Sequence, residues 1–248
     1  MTPEEEFFLR RVRDVSGRSG RYGSLGFLNE AEAALCRAMA RGGSLRPMTL
    51  YGGYPDAQRC MARFGSAEET GYEEPWPIAR LILKPAAGRF GEDLTHRDVL
   101  GTLMSMGIER DVLGDLVKAD GVWHIFCREE MVPHLTGLMK VRATPVRVEE
   151  ASDDLPLPAL STERVRINVS SVRVDLVAAH LCALSRGKVL DLFRRQMVFL
   201  NGLTCDDPSR PLKEGDVLSL RGHGKYRCAG VSGTSRKGKL YLELDRYM

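Results

Sequence analysis

The residues of this sequence best equipped for chemistry are cationic, and they are unevenly placed. Residues 160–248 carry 16 lysines and arginines against 9 aspartates and glutamates, a balance of +7, whereas the remainder carries 20 against 24, or −4. A basic end on a mildly acidic body suits a module that meets a polyanion while the rest of the chain does not. Other chemistries have thinner support. Cys36, Cys60, Cys127, Cys182, Cys205 and Cys228 stand too far apart for a zinc knuckle or a redox dithiol, so buried free thiols in a reducing compartment are expected. His96 beside Arg97 and Asp98 could serve acid–base chemistry, yet Thr95 with Asp98 reads as a capped helix start. The pairs Glu92-Asp93 and Asp206-Asp207 fall in apparent turns. Gly52-Gly53 could cradle a phosphate, but the lysine and hydroxyl of a P-loop are missing, and a tight turn is expected instead. No catalytic site, cofactor or metal centre is expected.

The elements that must position the basic groups follow from pattern and punctuation. A chain of 248 residues exceeds one typical domain. It has no apolar run near the ~18 residues of a membrane helix, and Glu4, Glu5 and Glu6 stand where a secretory signal would be basic, so a cytoplasmic address is expected. Two extended, proline-bearing segments, Glu73-Glu74-Pro75-Trp76-Pro77 and Glu149 to Pro158, divide the chain into domains at 1–72, 73–150 and 164–248. The overall class is α+β.

The first block reads as mostly helical, with Phe7, Phe8, Val12 and Val15 on one face and a capping box at Asn29 and Glu32. One strand is expected at Met48 to Tyr51, then a helix from about Pro55. The second block reads β-α-β-β-α-β, the ferredoxin-like order: a strand from Ile78, a helix from Thr95, a strand near Asp115 to Lys118, a turn at Asp120-Gly121, a strand Val122 to Cys127, a helix around Glu129 to Met139 and a strand near Thr144. Many RNA-recognition modules share that order, but their stacking positions are mostly unfilled here; Trp123, His124 and Phe126 are the aromatic candidates on the strand.

In the third block Val174, Val177, Leu181 and Leu184 repeat at helical spacing. After a break at Ser185-Arg186-Gly187, Val189, Leu190, Phe193 and Met197 gather on one side of a second helix, with Lys188, Arg194 and Arg195 on the other. Val198-Phe199-Leu200, the turn Asn201-Gly202 and a strand after Gly215-Asp216 come next. This series of R-x-D, S-R, basic helix, V-x-x-N-G and G-D-x-[LIV] resembles the S4 domain, the RNA-binding (αL) module of ribosomal protein S4, over residues 164–222. The resemblance implies a two-helix face laid against RNA, with Arg173, Ser185, Arg186, Lys188, Arg194 and Arg195 as contacts. Asp175 would position Arg173 or cap its helix. Forked guanidinium groups and the amides opening the second helix are physically suited to phosphate. Valine at position 174, where many S4 domains carry leucine, alters packing only.

A longer resemblance spans nearly the whole chain. Gly52-Gly53-Tyr54, His96-Arg97-Asp98 with Leu100-Gly101, Gly114-Asp115 and Arg221-Gly222-His223-Gly224-Lys225-Tyr226 are similar to the YlmH family of bacterial proteins. That likeness adds Lys225 and a basic loop with Arg236, Lys237 and Lys239 between two closing strands as RNA contacts. It also implies ribosomal RNA, tRNA and the large ribosomal subunit as partners, in ribosome-associated quality control, with no membrane and no small-molecule substrate. The alternatives are an RNA-modifying enzyme of the pseudouridine-synthase kind, docked by its S4 module, and a DNA-binding or regulatory protein. If Arg173, Arg186, Arg194 and Arg195 meet phosphates, alanine at each is expected to lower the salt slope of binding by ~1 and to leave stability nearly intact.

Overall fold

The computed structural model describes residues 2–55, 57–86, 94–119, 121–152, 155–156 and 162–247. Asp56, the Glu92-Asp93 pair, Asp120 and the Pro158 end of the second extended segment lie outside the described residues. The chain forms two compact units, Met1–Ala159 and Leu160–Met248.

Unit 1 opens with α1 (Pro3–Ser16), β1 (Gly23–Leu28), α2 (Glu30–Arg41), β2 (Met48–Tyr51), β3 (Cys60–Phe64) and the short α3 (Ala67–Thr70). Capping boxes start both long helices, Thr2 with Glu5 and Asn29 with Glu32, the second as expected. The mostly helical expectation for residues 1–72 is corrected: β1-β3-β2 is an antiparallel sheet, with α1 and α2 on one face around Val12, Cys36, Ala62 and Phe64. Its central strand is buried at every position and β1 at all but one, so neither has the alternation that marks a half-buried strand. Among the described residues after Pro55 no helix forms, and β3 begins at Cys60.

Next come β4 (Ile78–Pro85), α4 (His96–Ser105), β5 (Leu113–Ala119), β6 (Val122–Arg128), α5 (Val132–Thr136), β7 (Lys140–Val141) and β8 (Thr144–Glu150), in a sheet of order β5-β6-β4-β8-β7 with antiparallel neighbours. The β-α-β-β-α-β succession is present, with β7 added. Leu81, Leu83, Ile125 and Val148 meet Val99, Leu103 and Leu135 in the core. The other face is covered too. Phe126 stacks on Tyr54 at 4.6 Å between ring centroids, and Arg80 donates to the carbonyls of Ser152, Leu155 and Pro156, folding part of the second extended segment back over the sheet. Trp123, His124 and Phe126 are all buried, which removes them as stacking positions for a base. The first extended segment is likewise held, because Arg63 donates to the carbonyls of Glu74 and Pro75 and lies 3.9 Å from the Trp76 ring centroid.

Unit 2 comprises β9 (Thr162–Val169), α6 (Val174–Leu181), α7 (Arg186–Arg194), β10 (Val198–Leu200), β11 (Leu203–Thr204), β12 (Val217–Leu220), β13 (Gly224–Thr234) and β14 (Leu240–Tyr247), with sheet order β11-β10-β12-β13-β14-β9. Both helices pack on one sheet face through Val174, Val177, Ala178, Val189 and Phe193 against Val198, Leu218, Leu220, Leu242 and Leu244. Asn201 (φ 53°) and Gly202 (φ 83°) make the two-residue hairpin turn read from the sequence. The Asn201 amide donates to Asp216 and its carbonyl accepts the Val217 N–H, both at 2.8 Å, so the N-G and G-D motifs clasp one another. Five cysteines are buried and Cys182 half-buried, all as free thiols; burial pushes Cys36 and Cys127 up to about 12 and Cys60 to about 11. Among the described residues no helix is long and apolar enough to cross a membrane.

Candidate nucleic-acid interface

The two helices of unit 2 bury one side and leave a cationic side in water. Val189, Leu192 and Phe193 of α7 enter the core, while Ser185, Arg186, Lys188, Arg194 and Arg195 are exposed. Ser185 occupies the N-cap in extended conformation, but its hydroxyl makes no capping bond. An exposed helix start of this kind presents amide N–H groups and the positive end of the helix dipole to an anion.

Beneath this face lies a fixed carboxylate. The Asp175 side chain is 1% exposed and accepts a two-pronged bond from Arg173, 3.0 Å from Nε and 2.8 Å from Nη2. It also accepts the Leu176 N–H at 2.9 Å, and Arg186 approaches to 4.0 Å. Asp175 thus positions Arg173, as the motif implied. Arg173 itself differs from a free phosphate ligand, because its fork is already engaged. Arg194 pairs with Asp191 at 2.6 Å, an exposed i,i+3 contact that a phosphate can displace. Lys188 and Arg195 have no acidic partner among the described residues.

The sequence-expected contacts divide between two sides of the sheet. Tyr226 is buried in the core, so its strand neighbour Lys225 faces away from the helices, 5.5 Å from the Tyr247 ring centroid. Arg236, Lys237 and Lys239 lie exposed at the β13–β14 hairpin tip, which is closed by bonds from the Ser235 N–H to the Lys239 carbonyl (2.7 Å) and from the Gly238 N–H to the Ser235 carbonyl (2.9 Å).

Sequence reasoning missed the charged ladder on β9 and β14. Arg164 binds Asp245 at 2.6 Å and Glu243 at 3.0 Å, and Arg166 binds Glu243 at 2.8 Å. Its signal was the alternation of arginines at 164 and 166 with apolar residues at 165 and 167. Bonds from Arg166, then Arg164, hold the Glu243 carboxyl down at about 2 from an ordinary 4.5. A depressed carboxyl stabilises the fold fully above its unfolded value and progressively less as pH falls toward its folded value. Acid unfolding of unit 2 should therefore steepen between pH 4.5 and 2, and Glu243→Gln should flatten that window. An unchanged profile would remove Glu243 as its source.

Two family motifs in unit 1 prove to be one joint. Asp115 accepts the Tyr54 hydroxyl and the Gln58 N–H, both at 2.7 Å, and the Arg59 N–H at 3.1 Å. A Cβ on Gly114 would lie 2.7 Å from the Phe27 ring, and one on Gly53, already at φ +96°, 2.5 Å from the Phe126 ring. The glycine pair of residues 52 and 53 is accordingly a close-packing turn. His96 opens α4 under the box made by Thr95 and Asp98, and Asp98 also receives Arg142 at 3.0 Å. Asp207 accepts the Ser209 N–H at 2.8 Å within its turn.

Comparison with known proteins gives three likenesses. Residues 86–154 match the family described as "Putative RNA-binding domain in YlmH". A Bacillus subtilis (strain 168) protein, "Ribosome-associated protein quality control protein P2", is 28% identical over 201 residues, covering 80% of this chain and 77% of that protein. The solved "Cell division protein ylmH from Streptococcus pneumoniae" superposes with TM-score 0.48 and 21% identity over 61% of this chain and 93% of that one. With the middle segment matched by family and most of the chain by the curated relative, the chain is YlmH-like, as its motifs indicated.

Proposed function

We propose that this chain is a non-catalytic RNA-binding protein of the bacterial cytoplasm that holds structured ribosomal RNA and tRNA on a large ribosomal subunit still carrying peptidyl-tRNA, in ribosome-associated quality control. The observation that carries the reading is the one-sided helical face of unit 2, where Arg186 and Lys188 stand exposed at the uncapped start of α7 and Arg195 stands exposed at its other end. Such a face engages the phosphate backbone and binds in proportion to the counterions it releases. An RNA-binding role agrees with the family description for residues 86–154, and the ribosomal setting with the relative's name.

The reading includes an S4-type C-terminal domain, a ferredoxin-like middle domain, and division at 1–72, 73–150 and 164–248; three separate hydrophobic cores support that division. It includes no cofactor, membrane or small-molecule substrate. A non-catalytic role is supported by the structural tasks of the polar pairs that resemble acid–base groups: Thr95 and Asp98 cap a helix, and Asp207 ties a turn.

Crosslinking in cells with density-gradient fractionation tests the assignment, and enrichment of large-subunit ribosomal RNA with tRNA is expected. A scatter of messenger RNAs would overturn the ribosomal part, and equal affinity for duplex DNA would overturn the RNA part. In vitro, Lys188→Ala and Arg195→Ala should each lower the salt slope of binding by ~1. Their effect on stability should stay under ~0.5 kcal/mol.

A further inference from the structure

The sheet of unit 2 has a second face, turned away from α6 and α7, and its composition differs from an ordinary solvated surface. Strand alternation places Phe199, Ser219, Lys225, Arg227, Tyr241 and Tyr247 there, because Leu200, Leu218, Tyr226, Cys228, Leu242 and Leu244 enter the core. Cations lie over the rings: Arg221 5.3 Å from the Phe199 centroid, Lys225 and Arg227 at 5.5 and 5.7 Å from Tyr247, and Arg166 at 5.5 Å from Tyr241. β10, β12 and β13 contribute no carboxylate of their own; Glu243 and Asp245 on β14 are held by Arg164 and Arg166, with Asp245 opposite Arg227 in register, and the Glu214 carboxylate lies against Gly230.

We propose that the Phe199, Arg221, Lys225, Arg227 and Tyr247 surface is a second RNA contact, for an unpaired strand whose bases stack on the two rings while the three cations meet its phosphates. This rests on the RNA-binding reading above and deepens it, since the helical face suits a backbone of folded RNA and this face suits exposed bases. Rings interleaved with cations on an open sheet are what a single strand requires: every base has a π-face, and the backbone brings a charge with each nucleotide. In the free protein the cation covers the ring. On binding, the guanidinium moves to a phosphate and a base takes its place. An acidic peptide would use the charges but has no need of the rings.

The test measures fluorescence anisotropy of the full chain with a dodecauridylate, an abasic strand of equal length and an RNA hairpin. Phe199→Leu combined with Tyr247→Leu should weaken uridylate binding about fivefold or more while leaving the salt slope unchanged. Arg221→Gln should lower the slope by ~0.7. Hairpin binding should remain close to that of the parent. Tyr247→Leu alone, near the end of β14, keeps the test open if the double variant loses its melting transition. The inference is overturned if the ring variants bind uridylate normally, if the abasic strand binds as tightly as uridylate, or if oligoglutamate displaces uridylate charge for charge. Failure of the parent chain to bind the hairpin would instead overturn the RNA-binding reading itself.

Discussion

Replacing Arg173 with alanine should destabilise unit 2 by about 3 kcal/mol, the lower end of the cost of removing one partner from a buried ion pair. The Asp175 side chain is 1% exposed and would lose its two-pronged partner, whereas Arg173 is 34% exposed, so water can restore part of the loss. Arg173→Lys should recover only a fraction, since an ammonium cannot reproduce the fork. Both tryptophans, Trp76 and Trp123, lie in unit 1, so the measurement must be hydrogen exchange of unit 2 amides or calorimetry. Stability within ~0.5 kcal/mol of the parent would mean a solvated pair and an arginine free for phosphate. This expectation replaces the one drawn from sequence, in which Arg173 ranked with Arg186, Arg194 and Arg195 as a surface contact. RNA affinity should fall as well, because the same carboxylate lies beside Arg186.

The second large effect is expected in unit 1. Asp115→Ala removes the acceptor of three donors, the Tyr54 hydroxyl and the Gln58 and Arg59 amides. Hydrogen bonds to a charged acceptor contribute about 1.5–3 kcal/mol each, and they are not additive within one network; a net loss of about 3 kcal/mol is expected. For a unit of this size that lowers Tm by roughly 6–12 °C, monitored through the buried Trp123. Tyr54→Phe keeps the ring stacked on Phe126 and should cost about 1–2 kcal/mol. Equal effects of the two substitutions would place the whole contribution in the tyrosine hydroxyl and none in the loop amides.

What could be read from the sequence was local. The capping boxes at Asn29–Glu32 and Thr95–Asp98 and the Asn201-Gly202 turn appear where spacing put them, as do Val174, Val177, Leu181, Val189 and Phe193 of the two helical stripes, whereas Leu184 and Met197 lie beyond the helix ends and Leu192 rather than Leu190 enters the core. Each depends on residues within a few positions of one another, so the chemistry that forms them is written contiguously. Of the sheet of residues 23–64, the alternating strand β2 appears where it was read, whereas β1 and β3 escaped because both their faces are covered, which erases the period-2 signal. The aromatic candidates on β6 were visible as residue types, but Trp123 is buried in the core beneath α4 and Phe126 on the opposite face beneath Tyr54, packing set by elements distant in sequence.

The candidate interface divides the same way. Sequence by itself determined that unit 2 is basic and that Lys188, Arg194 and Arg195 fall on the polar side of a second helix, because charge and periodicity survive without a fold, and its motifs resemble those of the YlmH family. Only tertiary structure decided which charges are available. Asp175 takes up the fork of Arg173, Arg164 and Arg166 are spent on Glu243 and Asp245, and strand alternation turns Lys225 away from the helices toward Tyr247. The physical reason is that a side chain's charge is fixed by its type, whereas its partners are fixed by strand register and packing between residues up to 81 positions apart.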